Sequence, residues 1–248
     1  MLGVDTQQTL EWVLDQALSE QTPDAIVASG DIAHDPLPDN YRRFLATVSQ
    51  VCAAPMLALP GNHDVVDAMI QAQLPMDGLD LGSWGLVALD SHEDEAPSAL
   101  VTERDKQAAQ HEMERLDGPE HILLATHHHL VPVNCPWLDR DRVQMPQDLI
   151  KWLRQASAQR LRGCIFGHVH QEVADFVEIE SATDAGLKDI PVWSVPSTCF
   201  QFLPRSQSFA VDALGPGYRW LYLEGDGSIR TVVKRITQTI EVDMSRFS

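Results

Sequence analysis

The chain of 248 residues contains 36 Asp+Glu against 18 Lys+Arg, which gives a formal net charge of −18 at pH 7. A surface this acidic repels nucleic-acid phosphates and anionic membranes, so we expect neither a nucleic-acid nor a membrane partner. No window approaches the eighteen apolar residues of a membrane span. The length fits one large α/β domain, and we expect a single domain over residues 1–248.

The four cysteines are far apart and form no Cys-x-x-Cys pair. Cys52 and Cys164 lie in apolar surroundings, which is typical of buried thiols. No disulfide framework is indicated, so a reducing compartment fits best. The N-terminus shows no charged stretch followed by an apolar core of the secretory kind. We therefore expect a cytoplasmic protein.

The first third of the chain alternates helical and strand patterns. Apolar residues recur at helical spacing over 6–19, with Asp5 or Thr6 as the cap, and a second helix is predicted over 40–51. Short apolar runs at 25–28 and 55–59 predict two strands between and after these helices. Helices that alternate with strands are typical of a parallel sheet.

Further along, a strand is predicted at 84–89 and helices at about 102–116 and 144–158. From about residue 173 the pattern becomes β-rich. Short strand-like runs occur at 192–195, 208–211 and 220–223. Gly225-Asp226-Gly227 predicts a hairpin turn after the last of them.

Four polar clusters each directly follow a short apolar run. In chain order they are Gly30-Asp31, Gly61-Asn62-His63-Asp64, His127-His128-His129 and Gly167-His168-Val169-His170. Asp, Asn and His are ligands for hard and borderline divalent metals. Because catalytic groups gather at the carboxyl edge of an α/β sheet, we expect the four clusters to meet in one site.

This ordered set, with Gly-Asn-His-Asp and Gly-His-Val-His intact, resembles the calcineurin-like metallophosphoesterase superfamily. The segments 196–202 (Pro-Ser-Thr-Cys-Phe-Gln-Phe), 216–220 (Pro-Gly-Tyr-Arg-Trp) and 2–6 further resemble the bacterial class III cyclic-nucleotide phosphodiesterases of the cyclic-AMP type. The resemblance implies an α/β fold, a four-layer α/β/β/α sandwich with two packed β-sheets.

Members of this superfamily open with a strand that contains Asp-x-His and supplies two ligands to one of two metals. This chain starts at the segment that would follow that strand. We therefore expect the first strand to be missing, through an internal start in the gene model, trimming of the chain or a real loss. An in-frame Asp-x-His strand in the upstream DNA would indicate an internal start or a trimmed chain. An in-frame stop there would indicate a real loss of the strand.

By the resemblance, one metal is held by Asp31, Asn62, His127 and His168. The other shares Asp31 as a bridging carboxylate and takes His170, so without Asp-x-His we expect it to bind weakly. Nitrogen and oxygen ligands fit Mn²⁺ and Fe²⁺/Fe³⁺. Read alone, Gly30-Asp31 and Gly61-Asn62 are also typical of plain turns.

The resemblance also assigns residues that face the substrate. His63 contacts the phosphate and donates a hydrogen bond or a proton to the leaving oxygen, Asn62 contributes to the same surface, and Asp64 is placed to orient His63. Among the three consecutive histidines, alternation allows only one or two to face the site. His127 matches the ligand, and His128 is predicted to line the substrate pocket, with exposure to solvent as the alternative.

The resemblance implies hydrolysis of 3′,5′-cyclic AMP to AMP by a metal-bridging hydroxide, and a homodimer is possible. Two other hypotheses remain open. The protein is a metallophosphoesterase for another phosphomonoester or phosphodiester, or it is a non-catalytic metal- or nucleotide-binding remnant that lacks part of the site. Rates on several cyclic nucleotides and a generic aryl diester would separate these hypotheses.

Overall fold

The computed structural model describes residues 1–93, 96–179 and 189–246. Over these residues the helices are α1 (Thr6–Glu20), α2 (Pro38–Val51), α3 (Val66–Gln71), α4 (Glu103–Arg115), α5 (Pro136–Asp139) and α6 (Gln147–Gln159). The strands are β1 (Ile26–Ala28), β2 (Met56–Ala58), β3 (Leu79–Asp80), β4 (Trp84–Ala88), β5 (His121–Thr126), β6 (Leu161–Phe166), β7 (Ala174–Glu178), β8 (Asp189–Ser194), β9 (Gly217–Leu223) and β10 (Ile229–Arg235).

The largest sheet has six strands in the order β3-β4-β5-β6-β8-β7. β4, β5, β6 and β8 are parallel to one another, whereas β3 and β7 pair antiparallel at the two edges. All six residues of β5 are buried. Its side chains alternate between two apolar clusters, because Ile122 and Leu124 point to one face and Leu123 and Ala125 to the other.

A second β layer lies on one face of this sheet. β1 and β2 form a short parallel pair, and β9 and β10 form an antiparallel hairpin. Leu57 and Leu59 pack together with Leu123 and Ala125 of the large sheet, and Leu221 of the hairpin packs against this cluster. The contact buries apolar side chains from both layers, so hydrophobic burial holds the layers face to face.

Helices cover the two outer faces. α4 and α6 place Met113 and Leu153 in the cluster that contains Ile122 and Leu124. On the other side, α2 and α3 bury Tyr41 and Met69 against β2. Helix α1 lies on the hairpin, where the Gln16 side chain donates to the Arg235 carbonyl at 3.1 Å. The predicted α/β/β/α order of layers is confirmed.

The helix ends follow local chemistry. Asp5 caps α1 by accepting from the Gln8 N–H at 3.1 Å, as predicted. Thr102 caps α4 in a capping box with Asp105, which satisfies two N–H groups at the helix start. α2 and α6 begin at Pro38 and just after Pro146, two residues before and three residues after the predicted starts. Proline favours the first turn and excludes the interior of a helix, which explains both shifts.

The β-rich region departs from prediction at one place. The hairpin around Gly225 and the strands at 192–195 and 220–223 are present in β8, β9 and β10. The predicted strand at 208–211 is wrong: this segment makes only an isolated bridge, Phe202 with Val211. An apolar run favours extended backbone, but a strand also needs a partner along its length.

β1 is less covered than its neighbour. Its three apolar residues are each partly exposed, whereas all three residues of β2 are buried. Among the described residues, β1 pairs with β2 alone. The four cysteines are all free and buried. No helix in the described ranges has the length and apolar character that a membrane crossing requires.

Candidate metal centre and active site

The four polar clusters of the sequence meet where the strands of both sheets end. Asp31 and Asn62 follow β1 and β2, His127 directly follows β5, and His168 and His170 follow β6. Asn62 Oδ1 lies 3.1 Å from His127 Nε2 and 3.0 Å from His168 Nδ1. His127 Nε2 is also 3.4 Å from Asp31 Oδ2. The structure therefore brings these side chains into one cluster, as the strand-end argument predicted.

The ligand atoms of this cluster have the spacing of a coordination shell. A divalent ion that binds nitrogen and oxygen at about 2.0–2.2 Å holds neighbouring ligand atoms roughly 2.8–3.6 Å apart in tetrahedral or octahedral geometry. The three separations fall within this interval. Asp31, Asn62, His127 and His168 thus fit a single divalent cation.

The tautomer of His127 also fits a metal ligand. Its Nδ1 lies 2.8 Å from the Ser29 carbonyl oxygen, to which it donates. A neutral imidazole has only one N–H, so Nε2 directs a lone pair at two further electron-rich atoms, Asn62 Oδ1 and Asp31 Oδ2. A bound cation, or in its absence a second ring proton favoured by the raised pKa of His127, brings these atoms together. A hydrogen bond from the remote nitrogen to a backbone carbonyl is the usual support of a metal-bound histidine.

The two histidines after β6 are partly buried, and a lowered pKa keeps both imidazoles in the neutral form. Burial lowers the pKa of His170 to about 4, and burial together with the neighbouring His127 and His128 holds the pKa of His168 well below its usual value. His170 Nδ1 donates to the Phe200 carbonyl at 2.9 Å. Among the described residues, His168 Nε2 is buried without a hydrogen-bond partner. Neutral imidazole is the form that binds a metal.

Asp31 and His127 shift each other's pKa in opposite directions. Burial raises the pKa of Asp31, but the charge and hydrogen bond of His127, with His63 adding to them, outweigh it, and the net pKa is lowered. Burial lowers the pKa of His127, and Asp31 outweighs that effect and raises it. The Asp31 carboxylate is therefore ionised at neutral pH, the form in which a carboxylate can bind a metal.

Several ligands occupy strained backbone conformations. Asp31, His168 and His170 have positive φ angles of 53°, 60° and 48°. Non-glycine residues adopt this region uncommonly, and such residues are frequent at active sites and ligand clamps. At all three positions the backbone turns sharply after a strand, which directs the side chain back over the sheet edge.

Two glycines allow the loops to approach one another. A Cβ on Gly61 would overlap the Asp31 side chain and lie 2.7 Å from His127 Cε1. Gly30 has a φ of +95°, and a Cβ there would overlap the His127 ring. The loops after β1, β2 and β5 therefore depend on the absence of side chains at positions 30 and 61.

His63 lies exposed at the mouth of the cluster. Its backbone N–H donates to Asp31 Oδ1 at 3.0 Å, which fixes the start of its side chain relative to the bridging carboxylate. The ring lies 5.4 Å from that of His34, which is also exposed. An exposed imidazole beside the candidate ligands is accessible to a substrate, and the substrate-facing role of His63 stays a prediction.

Asp64 has contacts other than the predicted one with His63. Its carboxylate accepts from the backbone N–H groups of Ile32, Ala33 and Gly61 at 2.9–3.1 Å and from the Tyr41 hydroxyl at 3.0 Å. Both oxygens are thus engaged by the loops after β1 and β2 and by α2. These contacts give Asp64 a different task from orienting His63: it ties the loop of Asp31 to the loop of Asn62.

His128 is buried and fully hydrogen-bonded, which does not match a residue that lines an open pocket. Its Nδ1 lies 3.0 Å from the Ser91 hydroxyl and its Nε2 lies 3.2 Å from the Pro97 carbonyl. Burial lowers its pKa to about 3. His127, His128 and His168 place ligand atoms within 4.8 Å of one another, but binding a metal through His128 would require breaking one of these bonds.

The chain contains one Asp-x-His sequence, Asp90-Ser91-His92, which follows β4. Asp90 Oδ1 accepts from the His92 N–H at 2.8 Å, and Ser91 belongs to the hydrogen bonds of His128. This Asp-x-His follows β4 and does not lie on an opening strand, where the superfamily has its own. The expectation that the opening strand is missing therefore stays a prediction.

Sequence reasoning missed Tyr41 and Ser91 as supports of the site. Tyr41 had a usable signal, because it shares a helical face with Phe44, Leu45 and Val48, and a buried tyrosine hydroxyl needs a partner. Ser91 had none, since its partner His128 lies in the loop after β5, 37 residues along the chain.

Known proteins resemble this chain in sequence and fold. Residues 3–172 match the calcineurin-like phosphoesterase family. The 3′,5′-cyclic adenosine monophosphate phosphodiesterase CpdA of Pseudomonas aeruginosa is 34% identical over 249 residues, covering 98% of this chain and 86% of the relative. CpdA of Escherichia coli K12 is 32% identical, covering 96% and 84%.

Two solved structures share the fold at low sequence identity. The purple acid phosphatase PPD1 of yellow lupin superposes with a TM-score of 0.55 at 14% identity, over 93% of this chain and 49% of the lupin chain. PhoD superposes with a TM-score of 0.51 at 10% identity, over 94% and 70%. With the family match over more than half of its length, this chain belongs to the calcineurin-like phosphoesterase family.

Proposed function

We propose that this protein hydrolyses 3′,5′-cyclic AMP to AMP in a metal-dependent reaction. The observation that supports this most strongly is the convergence of Asp31, Asn62, His127 and His168 with the spacing of a metal shell. The substrate is inferred from the relatives named as 3′,5′-cyclic AMP phosphodiesterases, which are 32–34% identical over nearly the whole chain.

Calcineurin-like phosphoesterases use divalent metal ions, and Mn²⁺ or iron fits the nitrogen and oxygen ligands here. A bound divalent ion supplies charge neutralisation at the phosphate and lowers the pKa of water to a value useful at neutral pH. The residues of this chain hold and surround it. Asp31 offers a carboxylate between the two sheets, and Asn62 offers an oxygen without adding negative charge.

His63 is our candidate for handling the leaving oxygen. It is exposed at the mouth of the site, and its backbone is fixed to Asp31 Oδ1. Hydrolysis of the cyclic diester breaks the bond between phosphorus and the 3′ oxygen, which then needs a proton. An exposed imidazole beside the metal centre can donate it. His128 is left out of this proposal because protein groups engage both its nitrogens.

We further propose that this chain binds one metal ion firmly and a second weakly. Four side chains fit the first ion, whereas Asp31 and His170 are the two assigned to the second. Metal analysis of the purified protein after dialysis tests this point. We expect close to one tightly held ion per chain, and two tightly held ions would contradict the proposal.

The decisive experiment is AMP release from cyclic AMP by the 248-residue chain, with and without added Mn²⁺. We expect turnover that disappears with EDTA and returns with metal. His168→Ala should lose it, whereas His111→Ala, on the surface of α4, is the matched control. Cyclic GMP, 2′,3′-cyclic AMP and an aryl phosphodiester run in parallel identify the substrate class. Activity on the aryl phosphodiester without activity on cyclic AMP would show that cyclic AMP is not the substrate.

We place the reaction in the cytoplasm as part of the proposal, with the four free cysteines as support.

A further inference from the structure

A group of three aromatic side chains, Trp137, Phe202 and Phe209, lies beside the metal centre; we refer to it as the aromatic cluster. The ring centroids of Trp137 and Phe202 are 5.0 Å apart, and Phe209 lies 5.5 Å from each of them. All three contacts are edge-to-face, the geometry that aromatic rings prefer. The three side chains come from two separate segments, α5 and the chain after β8.

The aromatic cluster is attached directly to a candidate metal ligand. The ring of Phe202 stacks on the His170 imidazole at 4.2 Å with only 5° between the planes. Two hydrogen bonds join the same segments. The Phe202 N–H donates to the His170 carbonyl at 3.2 Å, and the His170 side chain donates through Nδ1 to the Phe200 carbonyl. A ligand bound at the metal centre is therefore next to these rings.

The loop that follows Phe202 returns to hold Phe209 in place. Leu203 N–H donates to the Ala210 carbonyl at 2.8 Å, and Phe202 bridges to Val211. This narrow turn explains why 208–211 is extended without forming a strand. It presents Phe209 on the same side as Phe202.

The three side chains of the aromatic cluster remain partly exposed, although the one polar atom among them, the Trp137 indole nitrogen, has a hydrogen-bond partner. The Trp137 indole N–H donates to the Ser206 hydroxyl at 3.0 Å, so hydrogen bonding does not require solvent there. Trp137, Phe202 and Phe209 nevertheless all retain solvent-accessible surface. Partly exposed aromatic faces next to convergent polar groups are typical of a small-molecule site.

We propose that the aromatic cluster is the subsite for the purine base of the nucleotide ester, an inference that rests on the proposed function. With the phosphate at the metal centre, only the ribose separates the phosphate from the base, and Phe202 is the aromatic ring that stacks on the candidate ligand His170. A base is uncharged and has two π faces, so it stacks on aromatic rings and is not repelled by the acidic chain. Stacking distinguishes a nucleotide from a simple phosphodiester more than it distinguishes one base from another.

The test uses Phe209→Leu and Trp137→Leu, which keep apolar character but remove the aromatic face. Phe176→Leu, at a 58% exposed phenylalanine on the edge strand β7, is the matched control. The substrates are cyclic AMP and the base-free 3′,5′-cyclic phosphate of ribose. For the two cluster variants we expect the ratio of kcat/KM for cyclic AMP to that for the base-free ester to fall by on the order of tenfold. The control should keep the wild-type ratio.

A binding measurement separates this inference from the proposed activity. Calorimetry compares the affinity of AMP with that of ribose 5-phosphate, in the wild type and in both cluster variants. We expect AMP to bind more tightly to the wild type, and the difference to shrink in the variants by a similar factor. This readout applies even if the wild type does not hydrolyse cyclic AMP, in which case the proposed function alone fails.

Two results would overturn the base subsite. An unchanged substrate ratio together with an unchanged AMP preference would show that the aromatic cluster does not contact the base. An equal loss on both substrates, with equal loss of AMP and ribose 5-phosphate binding, would show that the rings only support His170.

Discussion

At the scale of single residues, the site depends on positions where a side chain must be absent as much as on the ligands. Gly61 lies against both the Asp31 carboxylate and the His127 ring, and each of these neighbours is held by a hydrogen bond to the backbone. The backbone conformations of Asp31, His168 and His170 add a second constraint. Geometry of this kind is sensitive to changes well below the size of a residue.

We expect Gly61→Ala to lower phosphodiesterase activity by about 100-fold or more, because a displacement near 1 Å is enough for such a loss. The variant should also bind Mn²⁺ less tightly, which equilibrium dialysis measures independently of turnover. Gly225→Ala, where a Cβ meets nothing within 4 Å, is the control. Wild-type metal affinity in Gly61→Ala would show that the loops can separate after all.

The buried contact between Tyr41 and Asp64 leads to a second prediction. The Tyr41 hydroxyl donates to Asp64 Oδ1 and accepts from the Val65 N–H at 3.1 Å. Tyr41→Phe removes one hydrogen bond from the buried Asp64 carboxylate and one from the N–H of the exposed residue Val65. The loss at the buried carboxylate costs about 1–3 kcal/mol in the free energy of unfolding. Urea denaturation measures it, with Tyr222→Phe on β9 as the control. A loss below about 0.5 kcal/mol would show that water replaces the hydroxyl.

The sequence identified the candidate ligands but not these supports. The candidate ligands could be predicted because their residue types follow strands at positions that a known family shares. They are Asp31, Asn62, His127, His168 and His170. Asp64 and His128 could not be assigned their contacts, because Tyr41, Ser91 and Pro97 reach them from distant parts of the chain. Chain order gives no information about which loops will be adjacent.

At the scale of elements, periodicity predicted the helices well and strand pairing poorly. α1 and α4 have apolar faces and capping residues within a few positions, so local sequence determines them. The segment 208–211 has the composition of a strand, yet its neighbours supply only one bridge. Strand formation depends on partners that no local pattern specifies.

Helices α4 and α6 are joined by a buried cation. Lys106 Nζ, with its side chain 5% exposed, lies 2.5 Å from Asp148 Oδ2 and 2.7 Å from Glu103 Oε2. Hydrogen bonds to these two carboxylates raise the pKa of Lys106, and those from Lys106 lower the pKa of both acids. Acids with a lowered pKa stabilise the fold above their ordinary pKa, and this contribution is lost as the pH falls through the folded-state value.

We therefore expect Asp148→Asn to destabilise the protein at pH 7 and to have a smaller effect at about pH 2–3, below the ordinary carboxyl pKa of about 3.9. The difference between wild-type and variant urea midpoints at the two pH values measures this. Asp15→Asn, at an exposed position on α1, controls for the loss of a charge. An effect that grows on acidification would mean that the Asp148 contact is not electrostatic.

At the scale of the whole molecule, a net charge of −18 surrounds a site proposed to receive an anion. Like charges slow the encounter, and salt screens them over a Debye length of about 10 Å at 0.1 M. We expect kcat/KM for cyclic AMP to rise by about two- to threefold between 0.01 and 0.15 M ionic strength at saturating metal. A fall with salt would show that a local positive field at the site dominates the acidic surface.

The expectations of a single domain and of a possible homodimer also belong to this scale and stay predictions. One cooperative unfolding transition seen by both far-UV and tryptophan signals would support the first. Sedimentation measures the second.

The separation of the candidate ligands between two β layers has a mechanical consequence. Asp31 and Asn62 extend from the β1–β2 pair, whereas His127, His168 and His170 extend from the six-stranded sheet. An ion held by both groups acts as a cross-link between layers that otherwise meet through apolar contacts and the hydrogen bond from His127 Nδ1 to the Ser29 carbonyl. Removing the ion should weaken the contact between the two β layers. We therefore expect the amide protons of β1 and β2 to exchange faster with solvent, while those of β5 stay protected.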